Sequence, residues 1–367
     1  MKFTRMLLTP LNKNLRTGRT AVSPRLPLMF KKVLIHGRGC TSVKKLPAAG
    51  AITKNKNLHP ELVRPLRLRL IDDFKKNWIL YLMILPVLIY FIVFAYTPMS
   101  GVVLAFKDFK VKLGIFGSPW VGLKYFERFF GSFNFGMLLK NTIGISLYSL
   151  LIGFPIPIVF ALLLNYLRLK HLKKTLQMVS YAPYFISTVV ICGMIAIFMD
   201  KNTGILNQII VALGGESQDF LSKPEYFKSI YVWSGVWQSM GYSSIIYISA
   251  LSGVDPALHE AAIMDGATKV QRILHIDLPG IKSTIIMLFI LQMGSLMNVG
   301  FEKVFLLQND LNMSASDVIN TYVYRVGLVQ NNYSYSTAVG LFNSVINMAL
   351  VIVANQVSKK LANESLW

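Results

Sequence analysis

The chain has 367 residues, 53% hydrophobic and only 15% charged, with a mean hydropathy of +0.49. An ordinary soluble domain is about a quarter charged, so this composition excludes one and points to a membrane protein. The net charge of +21 invites a nucleic-acid reading, but residues 1–76 hold 18 Lys/Arg against three acids, Glu61, Asp72 and Asp73. The excess belongs to a tail without regular aromatic interleaving or a recognition motif, so no nucleic-acid partner is expected.

Taken in chain order, residues 1–76 read as a basic, mostly disordered tail with scattered Pro and Gly and no sustained period. Its Arg-rich, acid-poor composition superficially resembles a transit peptide; a natural extension and an early start are the other readings. A basic tail beside a bilayer is drawn to anionic headgroups. Six windows without Asp, Glu, Lys or Arg follow: Trp78–Thr97, Thr142–Leu164, Leu176–Met199, Ser229–Ser252, Ser283–Phe301 and Ser336–Val357. About twenty apolar residues at ~1.5 Å each cross a ~30 Å hydrocarbon core. The expected fold class is therefore all-α: a polytopic membrane protein with six transmembrane helices over residues 77–358. A short tail, 359–367, ends the chain. Gly153, Pro155 and Pro157 should break span two, and proline there removes a helix hydrogen bond and bends the helix. Span four is rich in Ser, Gly, Tyr and Trp, which suits a helix facing other helices and a cavity. Cys40 and Cys192 are too far apart in kind to pair, the five histidines show no ligand spacing, and no metal or cofactor is expected.

Lysine and arginine placement sets the orientation. The tail is strongly basic, and the second connection, Asn165–Thr175, carries Arg168, Lys170, Lys173 and Lys174 with no acid. Both belong in the cytoplasm and two crossings separate them, so the assignments agree. The C-terminus then also falls inside. Connection one, Pro98–Asn141, has six basic residues and two acids, but long loops follow the rule poorly.

The informative segment lies between spans four and five and reads VDPALHEAAIMDGATKVQRILHIDLPGIKS. Local chemistry predicts two short helices. Asp255 caps the first, with Pro256 at its first position, and Gly266 ends it at positive φ. Thr268 and Gln271 form a capping box for the second. Leu258, Ala261 and Ala262 give one apolar face, and Val270, Ile273 and Leu274 the other. Pro279 interrupts the pattern before span five. The orientation count puts this elbow in the cytoplasm, where rigid ends can carry force from a soluble partner into the spans.

Glu260-Ala261-Ala262, three residues, Gly266, nine residues, then Ile276-Asp277-Leu278-Pro279 resembles the EAA loop of ABC-importer permeases, with Asp265 and Ala267 fitting the common D-G-A form. The resemblance runs from about Lys76 to the C-terminus. It implies coupling helices that dock on a cytoplasmic ABC ATPase, with Glu260 at the contact, Gly266 at the elbow and Leu278-Pro279 fixing the exit into span five. It also implies a second homologous permease subunit and an extracytoplasmic solute-binding protein. Asn77-Trp78, Leu85-Pro86, Ala95-Tyr96-Thr97-Pro98-Met99, Asn141-Thr142, Phe301-Glu302-Lys303-Val304-Phe305 and Thr321 to Gly327 are similar to the LplB-like polysaccharide permeases of the sugar-importer branch, implying a carbohydrate cargo. Asn309-Asp310 departs from the Asn-Pro usual there.

A path for sugars should combine aromatic platforms with amides and hydroxyls. The candidates are Tyr148, Tyr184, Trp233, Trp237, Gln238, Tyr242, Gln292 and Asn298, centred on Trp237, Gln238 and Tyr242. Trp233 with Trp237, and Gln238 with Tyr242, share helix faces. Helix packing or an aromatic belt is the rival reading for each taken singly. No GxxxxGK[ST] loop is present, so ATP hydrolysis needs another chain. A membrane-embedded enzyme needs convergent ionisable groups, and an ion-coupled transporter or channel a mid-membrane carboxylate; the six windows hold neither. An importer for another polar solute is the more serious alternative.

Overall fold

The computed structural model describes the backbone over residues 66–362, with Ser365, and side chains from residue 74 to residue 360. The expected disorder of residues 1–65 lies outside the described residues. The chain divides into two units between Lys75 and Lys76, and the fold below is that of the second. Every named element among the described residues is helical; one isolated antiparallel bridge joins Lys107 and Trp120.

Helix α1 begins at Leu66 and runs to Phe91, so the end of the basic tail is helical, not disordered as expected. The sequence explains this: no Gly or Pro occurs between Pro65 and Pro86. Asn77, at φ −115° and ψ 22°, interrupts the helix just ahead of the apolar segment. A π-turn over Ile92–Tyr96 follows, with Thr97 Oγ1 donating to the Ile92 carbonyl at 2.8 Å. From Trp78 to Phe94 nearly every large apolar side chain is exposed, a surface that demands hydrocarbon or a partner.

Connection one is built rather than loose. Its helix α2 (Lys124–Phe130) buries Tyr125 and Phe129. They pack in one core cluster with Ile319 and Tyr322 of the helix Ile319–Tyr324 and Tyr335, Ala338 and Val339 of the C-terminal helix. Tyr125 Oη donates to Asp108 at 2.7 Å, and burial with that carboxylate pushes the phenol up to about 12.

Span two is α3 (Asn134–Gly153) followed directly by α4 (Pro155–Tyr166). The expected break is slight. Phe154 keeps helical angles and its N–H reaches the Leu150 carbonyl at 3.1 Å, because proline suits a helix's first position. Residues Asn134–Tyr166 thus form one apolar run.

Span three is not a single straight helix. Helix α5 (Lys170–Tyr181) passes through a tight turn, Ala182–Phe185, and chain direction changes by 101° before α6 (Thr188–Phe198). Pro183 cannot continue the hydrogen-bond ladder, and Ser187 restarts a helix by capping the Val190 N–H. A short helix, α7 (Ile205–Ala212), leads to α8 (Pro224–Ser252). At 29 residues, α8 is roughly 43 Å long, yet less apolar than the other spans. It sits at the centre, packed against α3, α4 and α5. Gly241 makes this possible: a Cβ there would lie on the Ser180 carbonyl.

Beyond the elbow, α11 (Lys282–Met293) covers only the first part of span five. Residues 294–300 are not helical, and α12 (Phe301–Leu307) follows. Irregular buried backbone is tolerated only where its polar groups find partners. Here Asn347 Oδ1 accepts from the Met297 N–H at 2.9 Å and Asn320 Nδ2 donates to the Val299 carbonyl at 2.9 Å. Helix α13 is Ile319–Tyr324, and α14 (Tyr333–Ala362) contains all of span six. Among the described residues, three helices are long and apolar enough to cross a membrane, and up to five if each bent pair counts as one span.

At Asn309-Asp310 the turn forms without proline. Asn309 Oδ1 accepts from the N–H groups of Leu311 and Asn312, and its Nδ2 donates to the Leu221 carbonyl.

Candidate coupling elbow and translocation cavity

The elbow forms as its residues dictate. Helix α9 (Pro256–Met264) is capped by Asp255 Oδ1, which accepts from the Ala257 N–H at 2.9 Å. It ends in a closed turn: Gly266 N–H reaches the Ile263 carbonyl at 3.0 Å and Ala267 N–H the Ala262 carbonyl at 2.8 Å. That double closure requires a left-handed residue, and Gly266 has φ +76°. Thr268 then caps α10 (Lys269–Arg272), its Oγ1 accepting from the Gln271 N–H at 3.3 Å while Gln271 Oε1 accepts from the Thr268 N–H at 2.7 Å. A π-turn, Ile273–Asp277, and the short turn Leu278–Gly280 around Pro279 lead into α11 at a 64° bend.

The outer side is open. Glu260, Ala261, Asp265 and Gly266 are exposed, while Ala262, Ala267, Ile276 and Leu278 are partly buried. Met264 is 87% and Val270 64% exposed, and Leu258, Ile263 and Leu274 are also exposed. A folded elbow whose apolar residues face outward is built for a partner rather than for its own core.

What fixes the elbow to the bundle was not evident from the motif. Asp277, the variable residue of Ile276-x-Leu278-Pro279, is 0% exposed. Its Oδ2 accepts from Tyr166 Oη at 2.7 Å, and His259 Nε2 lies 3.2 Å from Oδ1, off the line of a hydrogen bond. The Arg272 guanidinium covers the Tyr166 ring at 5.5 Å, a cation–π contact. The sequence signal was a lone carboxylate between Ile276 and Leu278. Asp277→Ala leaves the Tyr166 hydroxyl without its acceptor, so a loss of about 1–3 kcal/mol is expected, read as a lower unfolding midpoint of the purified complex. Tyr166→Phe leaves the buried carboxylate without its donor and should cost at least as much; an unchanged midpoint in Asp277→Ala would show that this network does not hold the elbow.

The pathway candidates separate into two groups. Gln238, Tyr242, Tyr184 and Gln292 line one cavity of about 750 Å³, with Tyr231, Ser239, Ser295 and Lys303. Tyr184 and Tyr242 stack at 3.8 Å between ring centres, and Gln238 Nε2 donates to the Ile186 carbonyl at 3.2 Å. Trp233 and Trp237 instead line a neighbouring, almost wholly apolar hollow of about 430 Å³ with α6. Tyr148 accepts from Trp233 Nε1 at 3.1 Å, and Asn298 Oδ1 accepts from Asn343 Nδ2 at 3.1 Å. Of the expected central trio, then, Gln238 and Tyr242 share the larger cavity and Trp237 does not. A helix turns 100° per residue, which sends neighbours 237 and 238 to different walls. Tyr231, Gly235, Ser239 and Tyr242 were legible as a stripe at i, i+4, i+8 and i+11. Lys303 was not, since it lies on α12, beyond the irregular 294–300 segment, and lines the cavity only through the tertiary fold.

Together these features define a multi-pass helical membrane protein with an exposed elbow and a cavity whose largely apolar wall carries phenols, amides and hydroxyls. Residues 153–363 match the family described as binding-protein-dependent transport system inner membrane component. The chain is 44% identical over 301 residues to the polygalacturonan/rhamnogalacturonan transport system permease protein YteP of Bacillus subtilis (strain 168), covering 82% of this chain and 94% of the relative. It is 44% identical over 293 residues to Protein LplB of the same organism, covering 80% and 92%. A chain in the crystal structure of a bacterial ABC transporter involved in the import of the acidic polysaccharide alginate superposes with a TM-score of 0.75 at 39% identity, covering 80% of this chain and 99% of that one. The protein belongs to the binding-protein-dependent transport system inner membrane component family.

Proposed function

We propose that this chain is one of two membrane subunits of a bacterial ATP-driven importer, and that its cargo is an oligosaccharide. In this reading the chain crosses the membrane six times with both termini in the cytoplasm. The bent pair α5–α6, α8, and α11 with the segment after it supply crossings three to five. The elbow α9–α10 lies inside and docks on an ABC ATPase, a homologous permease completes the pathway, and an extracytoplasmic binding protein delivers cargo. The chain itself performs no chemistry; hydrolysis belongs to the ATPase.

The observation that carries the reading is the elbow: a backbone closed at Gly266, tied to the bundle through Asp277, with Glu260 and an apolar surface left open. The oligosaccharide reading draws on the cavity's mixture of phenols, amides and hydroxyls and on the cargoes named for the relatives.

The test is cross-linking. With Cys40 and Cys192 replaced, a cysteine at Met264 should be labelled by an impermeant maleimide only from the cytoplasmic side and should trap the ATPase subunit in the assembled transporter. Labelling from the exterior, or no trapped ATPase at any elbow position, would sink the docking role. ATP-dependent uptake of oligosaccharides by the reconstituted complex with its binding protein tests the cargo.

A further inference from the structure

The cavity wall contains one charged residue. Lys303 is 8% exposed, and neither Asp nor Glu lines the cavity with it. Its ammonium donates to the Tyr231 carbonyl at 2.9 Å and lies 4.9 Å from the centre of the Tyr231 ring. Among the described residues no carboxylate pairs with it. An ammonium has three donors, and among the described residues one of them has a hydrogen-bond partner, the Tyr231 carbonyl. Gly235 leaves the space beside it open: a Cβ there would stand 3.3 Å from Nζ.

A buried cation without a counter-ion is costly unless something in the cavity compensates it. The surroundings say what that would be. The stacked pair Tyr184 and Tyr242 offers an aromatic platform, and Gln238, Gln292, Ser239 and Ser295 offer hydroxyl and amide partners. A sugar ring suits the platform and the amides; a carboxylate on that ring suits the ammonium.

We propose that Lys303 is the pathway's contact for a cargo carboxylate, and that the oligosaccharide carried is one containing uronic acid. This rests on the importer reading and narrows its substrate class. Lys303 acts in recognition and in lowering the barrier to passage, with no covalent step.

The complete reconstituted transporter, with its binding protein and ATPase, is given two probes: trigalacturonate, and the same trisaccharide with its carboxyls reduced to alcohols. The variants are Lys303→Met and Lys303→Arg, with complex yield and basal ATPase activity measured for each. Wild type should take up the acid in preference. Lys303→Met should lower uptake of the acid about tenfold or more, the loss expected for one charge-assisted hydrogen bond. It should leave uptake of the reduced trisaccharide within about twofold, and Lys303→Arg should retain much of the acid uptake. Equal losses for both probes would assign Lys303 to packing on Tyr231 and overturn the proposal, as would an unchanged acid uptake in Lys303→Met. A wild type that moves the reduced trisaccharide but not the acid overturns the proposal and leaves the importer reading standing. ATP-dependent uptake of neither probe, nor of any other oligosaccharide, brings down both.

Discussion

Gly266→Pro is expected to reduce ATP-driven uptake to background while leaving the amount of protein in the membrane near wild type. Proline fixes φ near −65°, and Gly266 needs +76°. Proline also lacks the N–H that closes onto the Ile263 carbonyl. Loss of a helix hydrogen bond with a ring clash costs about 3 kcal/mol in a helix interior. The elbow cannot keep its present closure with that residue. The spans can still insert, because Gly266 is exposed and a Cβ at this position meets nothing within 4 Å. The defect is therefore conformational rather than steric, and Gly266→Asn, which visits the left-handed region more readily than other residues, should keep a measurable fraction of uptake. Glu260→Lys reverses an exposed charge at the proposed docking surface and should also abolish uptake without lowering yield. Normal uptake in Gly266→Pro and Glu260→Lys together would remove the elbow from the mechanism.

Arg325→Ala is expected to destabilise the protein by about 3 kcal/mol, seen as a lower unfolding midpoint and reduced yield of complex. Asp317 is 1% exposed and is held by Arg325 at 2.5 Å and 3.3 Å and by Thr321 Oγ1 at 2.9 Å. Truncating arginine leaves that carboxylate buried without its cation, the expensive way to break a pair. The figure sits at the low end of the range because Arg325 is 30% exposed. The consequence spreads, because this loop hangs on the start of α3. Asn141 Nδ2 donates to the carbonyls of Ser314 and Asp317, and Thr142 Oγ1 accepts from the Ile319 N–H at 3.0 Å. Arg325→Lys should recover only part of the loss, since an ammonium cannot make the two-pronged contact. Replacing both partners, Asp317→Leu with Arg325→Met, should be milder than Arg325→Ala alone. A single variant as stable as wild type would show the pair to be incidental.

Tyr166 ends α4, Asp277 precedes α11, and His259 lies on α9. The Tyr166–Asp277 hydrogen bond therefore ties the elbow to α4, the chain after Asp277 continues it into α11, and the His259–Asp277 contact braces the elbow internally. The Gln238 bond to Ile186 similarly links α8 to the bend between α5 and α6. Helix α8 borders both the larger cavity and the apolar hollow, so a shift of this central helix reaches each wall.

The elbow was legible because its chemistry is local. A cap, a closing glycine and a capping box act over three to six residues, and Asp255, Gly266, Thr268 and Gln271 behave in the fold as their types require. Spans one, two and six were legible for a related reason: hydrocarbon rejects charge, so an uncharged run of sufficient length reports a helix whatever its neighbours do. Spans three and five were each read as one uncharged window, and an apolar count is blind to direction. Pro183 and Ser187 turn one of them, and the other stops near Gly294 because side-chain amides from distant Asn320 and Asn347 meet its free backbone groups. Which of Trp237, Gln238, Tyr242 and Lys303 meet in one cavity, and which carboxylate anchors the elbow, depended on packing between residues far apart in the chain. The sequence determined where this protein is apolar, where its helices begin and the shape of its exposed connector. Only the tertiary structure decided where buried polar groups find their partners, because a polar atom removed from water must be satisfied by whatever the fold brings within about 3 Å.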